Sequence, residues 1–515
     1  MEVNVIKNTD TKISNLHLGI ANDASMYTIA TSISSIIVFM SGLIIKRYLG
    51  PTDFGVWSLV YIILTYLILL DFGSIAAANK EIPYEHGKAD ERSAEVLKGT
   101  LFTFIGFIAL IVMGGILFYI AIDPVKIHTS VKVGLFCIAV SFPLFQLQQA
   151  LTTILWINKE FRKASMLVLI EALSNSIIGI LLVWMYGLYG MYAAFIVTLT
   201  FKVVYLLMVA KQNKKLAFHL KWDWASFERL IRKGVPLQIA GCINLLKVSL
   251  ATLLIGKYIN IAAVGYYAFA VSIQNFILLG PNAFWIIMFP RFQERFAVHN
   301  EDVSVLESFF VKPLIGFTFF LLPLMISFSY LLVPPIIRHI LPAFLETIPV
   351  LHIMLIGTFF FSMECIPGQI MVTTNNLWTR SVLGLFNTAI IILLILLLIS
   401  YNKDILSFTS AIAIGNFIGF IVNYLVAHNY IKRDRTLHPL GFKMLLAFLY
   451  VFATIVVIDI MIPVPTSTAG DFVISFLKWI VSLIIMLPLF VVAERNLSLV
   501  ATFKSLFFAR QEVAS

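Results

Sequence analysis

The chain reads as fourteen apolar runs, each about as long as a membrane-spanning helix, joined by short polar links. A spanning helix needs about 20 mostly apolar residues to cross the hydrocarbon layer. The first six runs lie near 24–45, 54–79, 99–122, 131–157, 164–186 and 188–210. The next six lie near 235–257, 262–289, 313–333, 347–373, 380–400 and 405–427, and the last two near 442–463 and 472–493. They predict an all-α polytopic membrane protein with about 14 transmembrane helices. Composition agrees: 60% of residues are hydrophobic and 12% charged, at a mean hydropathy of +0.94, where soluble domains are roughly a quarter charged. No link is long enough to bury a core of its own. Cys137, Cys242 and Cys365 fall inside apolar runs, without the spacing of a metal site or disulfide framework. Residues 1–23 are polar and read as a cytoplasmic tail without a cleavable signal, the first run acting as an anchor.

Lysine and arginine gather in the cytoplasmic links of polytopic proteins. With the N-terminus inside, 27 of the 37 fall on the inner side and 7 on the outer, while Lys202, Lys247 and Lys478 lie within runs. Both termini are therefore expected in the cytoplasm. The net charge of +10 is mostly this asymmetry and gives no separate support to nucleic-acid binding.

A weak internal repeat organises the runs. Ile44–Ile63 and Leu254–Ile273 overlay without a gap, and Ile45, Tyr48, Gly55 and Ile63 meet Ile255, Tyr258, Gly265 and Ile273. The 210-residue offset holds six runs, and an even number returns the chain to the membrane in the same direction. Two parallel six-span lobes, 24–210 and 235–427, are expected with a cavity between them. Residues 428–493 add two further spans, and 494–515 form a cytoplasmic tail. In the link 211–234, Trp224, Phe227 and Ile231 fall at helical spacing opposite Glu228, Arg229, Arg232 and Lys233. That pattern predicts an interfacial amphipathic helix ending at Gly234 and Pro236.

Polar side chains inside apolar runs are the candidate functional groups, because a mid-membrane charge is costly unless water or a counter-ion solvates it. Lys247 shares a stripe with Pro236, Asn244 and Ala251, and Asn275 and Asn282 make a second polar stripe on the eighth run. The stripes read as walls of a hydrated cavity; a buried Lys247–Glu364 pair is the structural alternative. Glu364 precedes Pro367-Gly368 by one turn, and a helix break there would free carbonyls that, with the carboxylate, bind Na⁺ or relay a proton. Asp71 is a coupling-ion ligand on one reading and a buried, hydrogen-bonded aspartate on the other. Pro143 should bend the fourth run. Glu171, Asp459 and Lys478 are expected to snorkel toward water, and Lys202 reads as structural as readily as functional.

No GxxxxGK[ST] loop is present, so direct nucleotide-driven transport is not expected. HExxH, GxSxG and paired-cysteine patterns are absent from the links, and the outer links are short. The chain reads as a conduit and not an enzyme, with no metal or cofactor.

RYLGPTDFGVWSLVYII with LLDFGSIAAANKEI resembles the first hairpin of Wzx-type polysaccharide flippases of the multidrug/oligosaccharidyl-lipid/polysaccharide exporter superfamily. The GKYINIAAVGYYAFA echo, the basic central link and the YGLYG turn extend the resemblance over about residues 24–430, and the final pair of spans matches fourteen-span members. The second half has YNKDILSFTS where the first has YGLYGMYAA, so residue roles are not copied between halves there. The resemblance implies alternating-access transfer of an undecaprenyl-pyrophosphate-linked oligosaccharide, a repeat unit of O-antigen, capsule or exopolysaccharide, across the bacterial inner membrane. On that basis Lys247 would contact the pyrophosphate, with Lys46 and Arg47 at the outer mouth and Arg291 and Lys80 at the inner. Asn244, Asn275 and Asn282 would bond sugar hydroxyls, and Glu364 or Asp71 would couple transport to Na⁺ or H⁺. A polysaccharide polymerase and a chain-length regulator are candidate partners. The alternatives are a lipid II flippase, a multidrug exporter of the same superfamily, and a membrane glycan polymerase or ligase, which would need an outer catalytic loop.

Overall fold

A computed structural model describes the backbone of residues 2–298 and 312–497, except 89, 124–127, 214–215, 217–218, 375, 432–436, 464 and 466; side chains are described mainly over 26–282 and 312–495. The described residues form helices and turns without strands, and the chain divides into two compact units, Met1–Leu253 and Leu254–Ser515. Among these residues, eleven helices are long and apolar enough to cross a membrane. A twelfth candidate is the pair Trp224–Ile243 and Leu245–Tyr258, bent by 41°.

The difference from about fourteen expected spans has a local cause. Ile29–Asp71 runs 43 residues and Phe161–Gln212 runs 52, about twice the length one crossing needs. Each departs from helical geometry at a single glycine, Gly50 (φ 69°, ψ 174°) and Gly187 (φ 55°, ψ −130°). The expected outer link 46–53 is therefore helical on both sides of one residue. Only glycine adopts these backbone conformations without strain.

The first unit contains α1 (Glu2–Ile68), α2 (Ser74–Gly87), α3 (Glu91–Ile122), α4 (Thr129–Ile157), α5 (Phe161–Gln212) and most of α6 (Trp224–Tyr258). The backbone of the polar segment 1–23 is already helical from Glu2. α1 packs chiefly on α5, and α4 lies against α3 and α5. Their apolar faces meet in two clusters, one around Val60, Leu64, Phe142 and Tyr192, the other around Leu97, Leu101, Ile154 and Leu206. The expected run 54–79 is interrupted: Leu69–Asp71 form a 3₁₀ turn, and Phe72 and Gly73 take left-handed conformations before α2 begins.

The expected stop at Gly234 and Pro236 is not there, and α6 continues through both. Gly234 instead permits contact with Gly73, where a Cβ on either residue would fall 2.3–2.6 Å from the other's backbone. The buried face of this stretch is also shifted. Leu230 is fully buried and Phe227 packs on Phe104 at 5.0 Å, but Trp224 is 67% exposed. Arg229 and Lys233, expected on the solvated face, turn toward α2. Pro143 lies inside an uninterrupted α4.

The second unit contains α7 (Ile261–Val298), a π-helical turn Phe317–Leu321, α8 (Leu322–Ile340), α9 (Thr347–Thr373), α10 (Leu377–Tyr401), α11 (Ile405–Ile431), α12 (Leu437–Met461), α13 (Thr468–Ile485) and α14 (Leu487–Leu497). α9 is central, packed on α11 and α7. It passes through Pro367 and Gly368 as helix, so the expected break beside Glu364 is absent. α12 and α13 pack on α8. Arg338 of α8 holds Asp471 of α13 through two 2.9 Å bonds, and His339 Nε2 lies 2.8 Å from the same carboxylate. Lys478 does not snorkel, whereas the Asp459 side chain stays 38% exposed. Lys478 is 1% exposed and donates to the Asp459 carboxylate at 2.7 Å and its carbonyl at 3.2 Å, which replace the water it would otherwise seek.

Candidate functional site

In the first unit, Lys46 occupies the turn of α1 before the Gly50 break. It is buried, with Nζ 3.4 Å from the Gly42 carbonyl and 4.9 Å from the centre of the Phe54 ring. That geometry gives the cation a carbonyl and an aromatic face in place of water. Its neighbour Arg47 is exposed, as is Lys80 on α2. Asp71 is buried at the break between α1 and α2. It accepts from the Gly73 amide at 3.0 Å, the Ile75 amide at 3.4 Å and Gln238 Nε2 of α6 at 3.1 Å. The first two bonds cap α2, whose leading amides have no helical acceptor. Lys247 is half-buried on α6, one turn from buried Ala251. The side chains of Asn244 and Arg291 lie outside the described residues.

In the second unit, Glu364 of α9 accepts from two buried amides. Asn387 Nδ2 of α10 lies 3.4 Å from both carboxylate oxygens, and Asn423 Nδ2 of α11 is 3.2 Å from one. Three helices thus present polar groups to one another inside an apolar bundle. Asn275 and Asn282 of α7 are exposed.

The first unit also holds a cavity of about 270 Å³ between α1, α4 and α5. Trp57 and Tyr61 stack at 5.8 Å on one side. Across from them, Lys202 Nζ lies 2.9 Å from Glu171, with Asn175 and Thr198 also on the wall. Glu171 therefore pairs with a buried lysine and does not simply snorkel. The sequence carries a signal for this pair. Glu171 lies 16 residues before Gly187 and Lys202 lies 15 after it, so a hairpin turning at that glycine brings them to one depth. A cluster at the start of α6 has no such signal in the sequence. Arg229 Nε and Lys233 Nζ each reach Glu81 at 2.6 Å, and Arg229 also bonds Glu85.

These features define a multi-pass membrane protein with ionisable groups held between its helices. The fold is similar to that of solved transporters of the MOP superfamily. An inward-closed lipid II flippase MurJ has a TM-score of 0.69 at 15% identity, covering 92% of this chain and 99% of that one. An inward-facing multidrug-resistance MATE transporter has a TM-score of 0.67 at 13% identity, covering 78% and 98%. The chain belongs to the family of polysaccharide biosynthesis proteins, which it matches over residues 20–296. A putative O-antigen transporter of Shigella flexneri is 23% identical over 254 residues, or 48% of this chain. The matched part spans about 60% of that relative's length.

Proposed function

We propose that this protein is a flippase, and not an enzyme, that carries a polyprenyl-pyrophosphate-linked oligosaccharide across the bacterial inner membrane by alternating access. The observation that carries the reading is membership of the polysaccharide biosynthesis family over residues 20–296. Its setting supports it: an all-helical fold like that of lipid and drug exporters. The two six-span lobes, 24–210 and 235–427, would carry the polar head group while the lipid tail stays in the bilayer. Lys247 is assigned to the pyrophosphate, with Asn244, Asn275 and Asn282 on the glycan. Lys46 and Arg47 serve the outer mouth, and Lys80 and Arg291 the inner. Glu364 and Asp71 are the groups assigned to Na⁺ or H⁺ coupling. Both termini face the cytoplasm, and a polysaccharide polymerase and chain-length regulator act on the product side.

Replacing Lys247 with alanine should abolish surface glycan while leaving protein level and membrane insertion unchanged; unaltered glycan removes Lys247 from the mechanism. A second reading, transport of lipid II, has one specific support, a fold match covering 92% of this chain. Rescue of cells depleted of their own lipid II flippase would favour that reading. Loss of a surface polysaccharide, with cell-wall synthesis intact, would favour the first.

A further inference from the structure

We infer that the cavity inside the first unit binds a single sugar ring of the lipid-linked substrate. The inference rests on the proposed function and adds a subsite that none of the assigned residues occupies. The cavity has two unlike walls. Trp57 and Tyr61 offer flat apolar faces, stacked 5.8 Å apart. Glu171, Asn175, Thr198 and Lys202 offer hydrogen-bonding groups.

Thr198 lies on the polar wall beside the ion pair. It is 7% exposed, and its hydroxyl is buried without a hydrogen-bond partner, an arrangement that native interiors avoid. Two neighbouring facts narrow the chemistry. Lys202 is already neutralised by Glu171 at 2.9 Å, so the lining has no net positive charge to hold a diphosphate, and the carboxylate would repel one. A hydrocarbon tail would satisfy the rings and leave the ion pair and the Thr198 hydroxyl dry and unmatched. A pyranose has both surfaces. Its C–H face covers an aromatic ring, while its hydroxyl edge donates to a carboxylate or threonine oxygen and accepts from an ammonium or amide. The volume, about 270 Å³, lies just under the roughly 300–1,000 Å³ of ligand pockets. That is room for a sugar ring.

The test uses full-length protein in lipid nanodiscs and two probes, the polyprenyl-diphosphate-linked glycan extracted from the source cells and bare polyprenyl diphosphate. Wild-type protein should bind the glycan lipid about tenfold more tightly than the bare one. Trp57→Ala should erase that preference and leave bare-lipid affinity unchanged. Thr198→Val, nearly isosteric and therefore little threat to folding, should reduce it. Lys247→Ala should weaken both lipids alike. Wild-type preference retained in Trp57→Ala and Thr198→Val, or a loss equal for both lipids, overturns the sugar site. Equal binding of the two lipids by wild-type protein also overturns it while leaving the lipid-carrier reading standing. Failure of wild-type protein to bind either lipid overturns the proposed function, and the subsite with it.

Discussion

Glu81, only 2% exposed on α2, accepts from two cations of α6, Arg229 and Lys233. Burial alone would raise its pKa, but the bonds from Lys233 and Arg229 outweigh that and hold the carboxyl below its usual range. A carboxyl whose pKa is depressed on folding stabilises the fold above its unfolded value, about 4.3, and that contribution is lost as pH falls through the folded value. Protection factors of residues 224–243, which are corrected for the intrinsic pH dependence of amide exchange, should therefore stay high at neutral pH and fall below about pH 4. Glu81→Gln should make the same segment exchange faster at pH 7, and unchanged exchange in that variant would mean that the pair does not anchor α6. The charges inside the helices follow the same logic. Taken singly from the sequence, Glu171, Asp459 and Lys478 are groups seeking water, because spacing along one run says nothing about a partner on the next. In the fold Glu171 pairs with Lys202 and Asp459 with Lys478. Their depths on either side of a turn are legible in the sequence, but the contact is not.

At the scale of elements, the helix-breaking rules succeed at Gly50 and Gly187 but fail at Gly234, Pro236 and Pro367. Gly50 and Gly187 interrupt α1 and α5 in conformations that a side chain resists. A Cβ added at either position would meet no heavy atom within 4 Å, so alanine there meets backbone strain and not a clash. Gly50→Ala and Gly187→Ala should each cost about 1–3 kcal/mol, measured as a lower melting temperature in detergent. An unchanged melting temperature would show that the breaks relax. Pro236 and Pro367, by contrast, sit inside continuous helices. A proline removes one amide donor, and helices in membrane proteins tolerate that where packing and local adjustment satisfy the backbone. The turn at Asp71 is hidden in the sequence for the opposite reason. LLDFG is apolar enough to read as spanning helix, yet the Asp71 side chain caps α2 and bonds Gln238, 167 residues away.

For the whole molecule, the cation count predicts the orientation: 27 lysines and arginines on one side against 7 on the other. A green fluorescent protein fused after residue 515 should fluoresce, and alkaline phosphatase inserted at Lys403 should be active; the reverse pattern would invert the topology. The sequence by itself determined the helical membrane class, most of the apolar segments and the family resemblance, because hydrocarbon demands long apolar helices whatever surrounds them. Only the tertiary structure decided how the polar minority is satisfied. It showed Asp471 gripped by Arg338 and His339, Glu364 between two asparagines, and α6 bound to α2 through Glu81. Each of these joins residues 23 to 152 positions apart. In a low-dielectric interior a charge is tolerable only beside its partner, and the partner is set by packing.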